Sequence, residues 1–192
     1  MAETLIMVRV RLHPEDAKAA GAYARSVTDA LKSVEGFQGF GLWQDVEDEL
    51  DHLILFSYAS PEAAKRGLVA VSERRTLAER QEHGAMPADA MTLAVHHAYG
   101  ALDGQIAPSS ALSLSIRIAE PGYGPELIDE YDQIFAALAA IPGYAGMLIA
   151  NNGNLPEEVV GLVAWDDQLA FRASLPKQPA YQVKLYERSF ED

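Results

Sequence analysis

The chain has no cysteine among its 192 residues. That absence removes disulfides, thiolate nucleophiles, iron–sulfur clusters and cysteine-based zinc sites together. Positive charge is scarce too, with fifteen Lys and Arg against 28 Asp and Glu and a formal charge of −13. Such a surface repels phosphate backbones and anionic lipid, so neither nucleic acid nor membrane is an expected partner. Long hydrophobic runs are missing as well. The opening MAETLIMVRVRLHPEDAK lacks the basic start and extended apolar stretch of a signal peptide, and no later segment approaches a membrane span. The expectation is a cytoplasmic protein. Apolar residues make up 49% of the chain, enough for an ordered core.

What is present is a repeat. SVEGFQGFGLW begins at Ser33 and AIPGYAGMLIA at Ala140, 107 residues later, and both place a Gly-aromatic-x-Gly step before an apolar run. At that fixed offset the match continues from about Tyr23 to Leu68. Val27 meets Ile134, Leu31 meets Leu138, Phe37 meets Tyr144, Leu55 meets Leu162, and Tyr58 meets Trp165. A sustained correspondence of core positions marks a tandem duplication.

Each copy parses in the same way. TLIMVRVRL alternates Ile6, Val8, Val10 and Leu12, while ALSLSIRIA alternates Leu112, Leu114, Ile116 and Ile118 against Ser113, Ser115 and Arg117. Both have the period of a half-buried strand. Ala17, Ala20, Ala24, Val27, Leu31 and Val34 in one copy, and Leu127, Tyr131, Ile134, Leu138 and Ile141 in the other, recur at helical spacing. Gly36 and Gly143 follow the last periodic residue, where a left-handed glycine closes a helix. Two strands, a second helix and a last strand complete the order β-α-β-β-α-β, twice, the split ferredoxin-like unit.

The expected fold class is α+β, with two tandem units joined into an intramolecular pseudo-twofold barrel. Residues 1–100 form the first repeat, 101–110 the linker and 111–192 the second repeat. The first copy carries an insertion at about 69–90, in which SERRTLAERQEH reads as an extra charged helix closed by Gly84.

A β-α-β-β-α-β unit with Gly-aromatic-x-Gly before its second strand, and an aromatic closing its third, resembles the antibiotic biosynthesis monooxygenase-like family of the dimeric α+β barrel superfamily. The resemblance implies a cofactor-independent monooxygenase acting on a small apolar or aromatic substrate bound between sheet and helices, with neither metal nor flavin required. It leaves two alternatives, a non-catalytic ligand-binding or assembly module and a haem-binding or haem-degrading protein. It also implies that such pseudo-dimeric chains can pair further into a homodimer. The family's best-understood members place an Asn four residues before a Trp at the end of the third strand, with a Tyr and an Arg beyond. Here the Trp position holds Trp165 in copy two and Tyr58 in copy one. The Asn position holds Gly161 or Ile54, the Tyr position Phe171 or Ala64, and the Arg position Leu185 or Ala78.

The residues themselves nominate further candidates. His96 and His97 are adjacent, and successive strand residues point to opposite faces, so they do not share an ion. Alternation puts His97 with Leu93, Val95 and Tyr99, which makes it the pocket candidate. His97 and Arg9 are the expected polarising groups of the site, with Trp43, Tyr58, Tyr99 and Trp165 as substrate contacts. No metal site is expected. For the haem alternative the candidate ligands are His83 and His97.

Overall fold

The computed structural model describes residues 2–11, 27–78, 88–103, 111–176 and 183–188, and in it the alternating segments are strands. The first repeat supplies β1 (Thr4–Arg11), β2 (Phe37–Asp45), β3 (Asp51–Tyr58) and β4 (Ala88–Gly100). The second supplies β5 (Ala111–Ile118), β6 (Tyr144–Asn152), β7 (Leu155–Trp165) and β8 (Lys184–Arg188). Helix α1 is described over residues 27–31. It is joined by α2 (Pro61–Ala78), α3 (Gly124–Leu138) and α4 (Gln168–Ser174).

The strands close into one antiparallel barrel in the order β1-β3-β2-β8-β5-β7-β6-β4. Within each repeat the fourth, first, third and second strands lie side by side, so the two sheets are copies. Two seams join them. β2 pairs with β8 from Trp43 to Asp45, and β4 pairs with β6 from Leu93 to Gly100. The duplication thus supplies both halves of the barrel from one chain, and closure leaves no open sheet edge.

Both faces of each sheet are buried. Leu5, Met7, Leu53, Leu55, Leu112, Leu114 and Leu162 pack inside the barrel with Trp43 and Tyr186. Outside, Ile6, Phe56 and Tyr58 meet the first half's helices, and Met147, Val163 and Trp165 meet those of the second. Each large apolar side chain so buried contributes about 1.5–3 kcal/mol. This double burial corrects one reading of the alternation. Ile6 and Val8 face the helices, whereas Leu112 and Leu114 face the barrel interior. The apolar sets of the first strands in the two copies therefore mark opposite faces.

Two further expectations change. The inserted segment does not start a separate helix at Ser72, because α2 runs unbroken from Pro61 to Ala78; Gly84 lies outside the described residues. The corner glycines do adopt left-handed backbone, with φ of 88° at Gly36 and 84° at Gly143. However, their helices end earlier, at residue 31 and at Leu138. Each glycine is instead the third residue of a β-turn, closed by Phe37 N–H to the Val34 carbonyl and by Tyr144 N–H to the Ile141 carbonyl. A positive φ at that position is what a type II turn demands. A Cβ on Gly36 would run into the Ala63 Cβ, and one on Gly143 into the Ala170 Cβ.

Candidate functional site: a cavity beneath the helices of the second half

Between the outer face of the second sheet and helices α3 and α4 lies a cavity of about 240 Å³. Its floor is Ser113 and Ser115 of β5 with Gly161, Val163 and Trp165 of β7. Those strands pair in register, Ser113 opposite Val163 and Ser115 opposite Gly161. Its roof is Ile134, Phe135 and Leu138 of α3, with Phe171, Ser174, Leu175 and Pro176 at the α4 end and Val183 before β8.

Local sequence explains the roof. Pro125 occupies the first turn of α3 and Glu126 sits at its positive end. Leu127, Tyr131 and Phe135 then recur every fourth residue and turn inward. Asp167 caps α4, its carboxylate accepting from the Ala170 N–H at 2.8 Å. Trp165 is braced by edge-on contacts from Tyr144 and Phe171, each with centroids 6.1 Å away.

The first half has the same frame and a different filling. Its structural equivalents of Ser113, Ser115, Gly161 and Val163 are Ile6, Val8, Ile54 and Phe56. Those side chains belong to an apolar cluster with Val27, Leu31 and Phe40. In the second half the sheet carries smaller residues, and the bare backbone at Gly161 leaves room for the rings of α3. A Cβ there would stand 2.5 Å from Tyr131 Cε1 and 2.6 Å from Phe135 Cζ.

Polarity within the cavity comes from hydroxyls. Trp165 Nε1 donates to Ser113 Oγ at 3.0 Å, and Ser113 in turn donates to the Val163 carbonyl at 3.4 Å. Ser115 Oγ lies 2.8 Å from the Tyr131 hydroxyl, and either can be the donor. The Arg117 guanidinium carbon lies 5.7 Å from the centre of the Tyr131 ring, while its Nη1 pairs with Glu130 at 2.7 Å. No Asp, Glu, His, Lys or Arg lines the cavity among the described residues.

The residues nominated from sequence are spread over the barrel. Trp165 lines the cavity. Tyr58 occupies the equivalent place in the first half, buried against Phe37, and burial pushes its hydroxyl up to about 12. Trp43 lies inside the barrel with its ring over Gly41. Arg9 is at the barrel mouth, 3.8 Å from Asp51. There Lys184 binds both Asp45 and Asp51, at 2.8 and 2.5 Å. Burial draws the Lys184 ammonium down, but the two carboxylates outweigh it and hold it above its ordinary value.

His97 and Tyr99 sit together on the outer surface, ring centres 6.5 Å apart, with His97 Nδ1 3.9 Å from Asp132. A register shift between Val95 and His97 explains this position. Leu93 and Val95 pack toward the barrel interior, and the bulge turns His97 away from them. His83 falls outside the described residues. No cluster of three metal-binding side chains occurs among those described.

Ser113, Ser115 and Tyr131 were read from sequence only as strand polarity and helix periodicity. The signal lay in the repeat itself, since the 107-residue offset sets Ser113 against Ile6 and Ser115 against Val8.

Comparison with known proteins agrees with this architecture. Residues 4–66 match the family model described as antibiotic biosynthesis monooxygenase. No curated relative matches the sequence. Among solved structures, a candidate monooxygenase from Lactobacillus acidophilus superposes with a TM-score of 0.72 at 14% identity, covering 99% of this chain and 95% of that one. An anthrone oxidase-like protein gives 0.70 at 16%, covering 98% and 93%. A heme-binding protein from Thermus thermophilus gives 0.60 at 10%, covering 98% and 92%. At such identities the likeness establishes the fold. Residues 4–66 are therefore similar to an antibiotic biosynthesis monooxygenase domain, and the whole chain carries the duplicated α+β barrel fold seen in these neighbours.

Proposed function

We propose that this chain is a cofactor-independent monooxygenase-like protein that binds a small apolar or aromatic substrate in the cavity of its second half. The observation that carries the reading is the cavity itself, mostly apolar in its walls and lined by three serines. Its volume of about 240 Å³ falls below the roughly 300–1,000 Å³ of sites for drug-sized molecules, which points to a ligand of one or two rings. The family match and the names of the structural neighbours support the class of chemistry.

In an oxygenation without cofactor the substrate supplies the electrons. An activated CH₂ loses a proton, the carbanion reduces dioxygen and forms a hydroperoxide, and loss of water leaves a carbonyl. The chain's share of this is to hold the ring against Trp165, keep water from the reacting carbon, and bind the substrate oxygen at Ser115. The test is to follow dissolved oxygen while purified protein is mixed with anthrones and aromatic quinols. Protein-dependent uptake coupled to carbonyl formation supports the reading, and binding and uptake both absent end it.

The absence of any acid or base from the described lining favours a second reading, a non-catalytic ligand-binding module. Saturable binding without oxygen uptake is its signature. The residues do not fit a haem in this cavity. Its described lining has no histidine, tyrosine or methionine to offer an iron, and the space is too small for the macrocycle.

A further inference from the structure

We infer that the Ser115–Tyr131 hydroxyl pair sets what the cavity accepts: an aromatic ring bearing one oxygen, taken equally well as a hydroxyl or as a keto group. The inference rests on the cavity being the ligand site, and it adds the ligand's chemical class and the residue that enforces it. Three serines line the cavity, but their hydroxyls are not equivalent, and that of Ser174 donates to the Phe171 carbonyl at 2.6 Å. Ser113 is committed, accepting from Trp165 Nε1 at 3.0 Å and donating to the Val163 carbonyl at 3.4 Å. Ser115 has its contact with a second hydroxyl, that of Tyr131 at 2.8 Å, where either oxygen can donate. A serine hydroxyl has one proton and two lone pairs. When a ligand presents a carbonyl, Ser115 donates to it and accepts from Tyr131. When a ligand presents a hydroxyl, Ser115 accepts from it and donates to Tyr131. A backbone amide or a lysine in that place would read only one of these forms.

Tyr131 does not line the cavity, so it acts through Ser115 as a positioning residue. Its ring is fixed on three sides. It lies over Gly161, where a Cβ would come within 2.5 Å of it. Phe135 meets it edge-on at 5.4 Å, and the Arg117 guanidinium lies 5.7 Å from its centre. The ring is fully buried, so its hydroxyl is held at Ser115 and not shared with solvent. The first half has no such pair, because Val8 stands where Ser115 does.

The test compares three probes of one size, naphthalene, 1-naphthol and 1-tetralone, titrated into the intact protein by calorimetry. Wild type should bind naphthol and tetralone about three- to tenfold tighter than naphthalene, the worth of one net hydrogen bond. Ser115→Ala should bring all three within about twofold of one another while leaving naphthalene's affinity in place. Tyr131→Phe should also shrink the preference, again without weakening naphthalene, which a merely destabilised fold would not do. Equal binding of the three probes by wild type would overturn the inference and leave the cavity as the site. A preference for only one oxygen form, or a full preference surviving in Tyr131→Phe, would overturn it too. If none of the three binds, the cavity reading itself fails and the inference with it.

Discussion

Beneath the helices of the first half lie Ile6, Val8, Ile54 and Phe56; at the same places in the second half lie Ser113, Ser115, Gly161 and Val163. The first set is bulky and apolar, and beside the second about 240 Å³ stands open. At roughly 24 cal/mol per Å³ of cavity, that space forgoes as much as about 6 kcal/mol, comparable with the whole net stability of many domains. The lesson is that one repeated frame can be lined in two ways, with bulky apolar side chains in the first half and with serines and glycine in the second.

The barrel interior shows a second asymmetry. Trp43 lies over Gly41 in the first half, and the equivalents in the second are Ala150 and Leu148. Each half solves the same filling problem with one large residue in a different place.

The most severe way to break the comparison is to separate the halves. Residues 1–103 alone would expose the β2 and β4 edges that β8 and β6 cover, together with the apolar inner face. The expected outcome is complete loss of the soluble monomer, read by size-exclusion chromatography as a dimer or as aggregate. A stable monomeric half would contradict the pseudo-twofold account.

A smaller effect tests the interior exchange. Gly41→Leu alone places a side chain where even a Cβ would overlap the Trp43 ring, and should cost about 3 kcal/mol. Trp43→Ala alone should cost about 3–5 kcal/mol. The double variant copies the second half's pattern, so it should cost less than the sum by about 1–3 kcal/mol in denaturant melts. Simple additivity would show that the two positions do not share one space.

The mildest prediction concerns pH. Burial pushes the Tyr58 hydroxyl up to about 12. Burial and then the Asp51 carboxylate push Tyr186 up to about 12. Lys184 is also raised. All three hold their protons more tightly folded than unfolded, so their contribution is complete below about pH 10, and that of the two tyrosines is lost as pH rises through about 12. Urea midpoints should fall across that window. Tyr58→Phe should flatten the slope, whereas Trp165, at the matching place in the second half, has no proton to lose there.

Much of this frame was legible in the sequence, because a duplicated unit keeps its core spacing even where residue types drift. Phe37 against Tyr144 and Leu55 against Leu162 sufficed to give two β-α-β-β-α-β units. Which strand face meets the helices was not legible. In a sheet buried on both sides, Ile6 with Val8 and Leu112 with Leu114 look alike, although they point opposite ways. The face of His97 was lost for another reason, since a bulge between Val95 and His97 breaks the two-residue period that assigned it. The cavity was invisible because serine alternating with leucine reads as an ordinary wet strand face. Only the apolar partners Ile6 and Val8 in the other copy mark it as a hollow.

The chain has two tryptophans, Trp43 inside the barrel and Trp165 in the cavity wall. Labelling with 5-fluorotryptophan therefore gives one ¹⁹F resonance for each half without altering any packing residue under test. On titration with 1-naphthol, the account predicts that the Trp165 signal shifts saturably, with one ligand per chain, while the Trp43 signal stays in place. Movement of the Trp43 signal alone, binding of two ligands per chain, or no response at Trp165 would contradict the claim that the hollowed second half is the site.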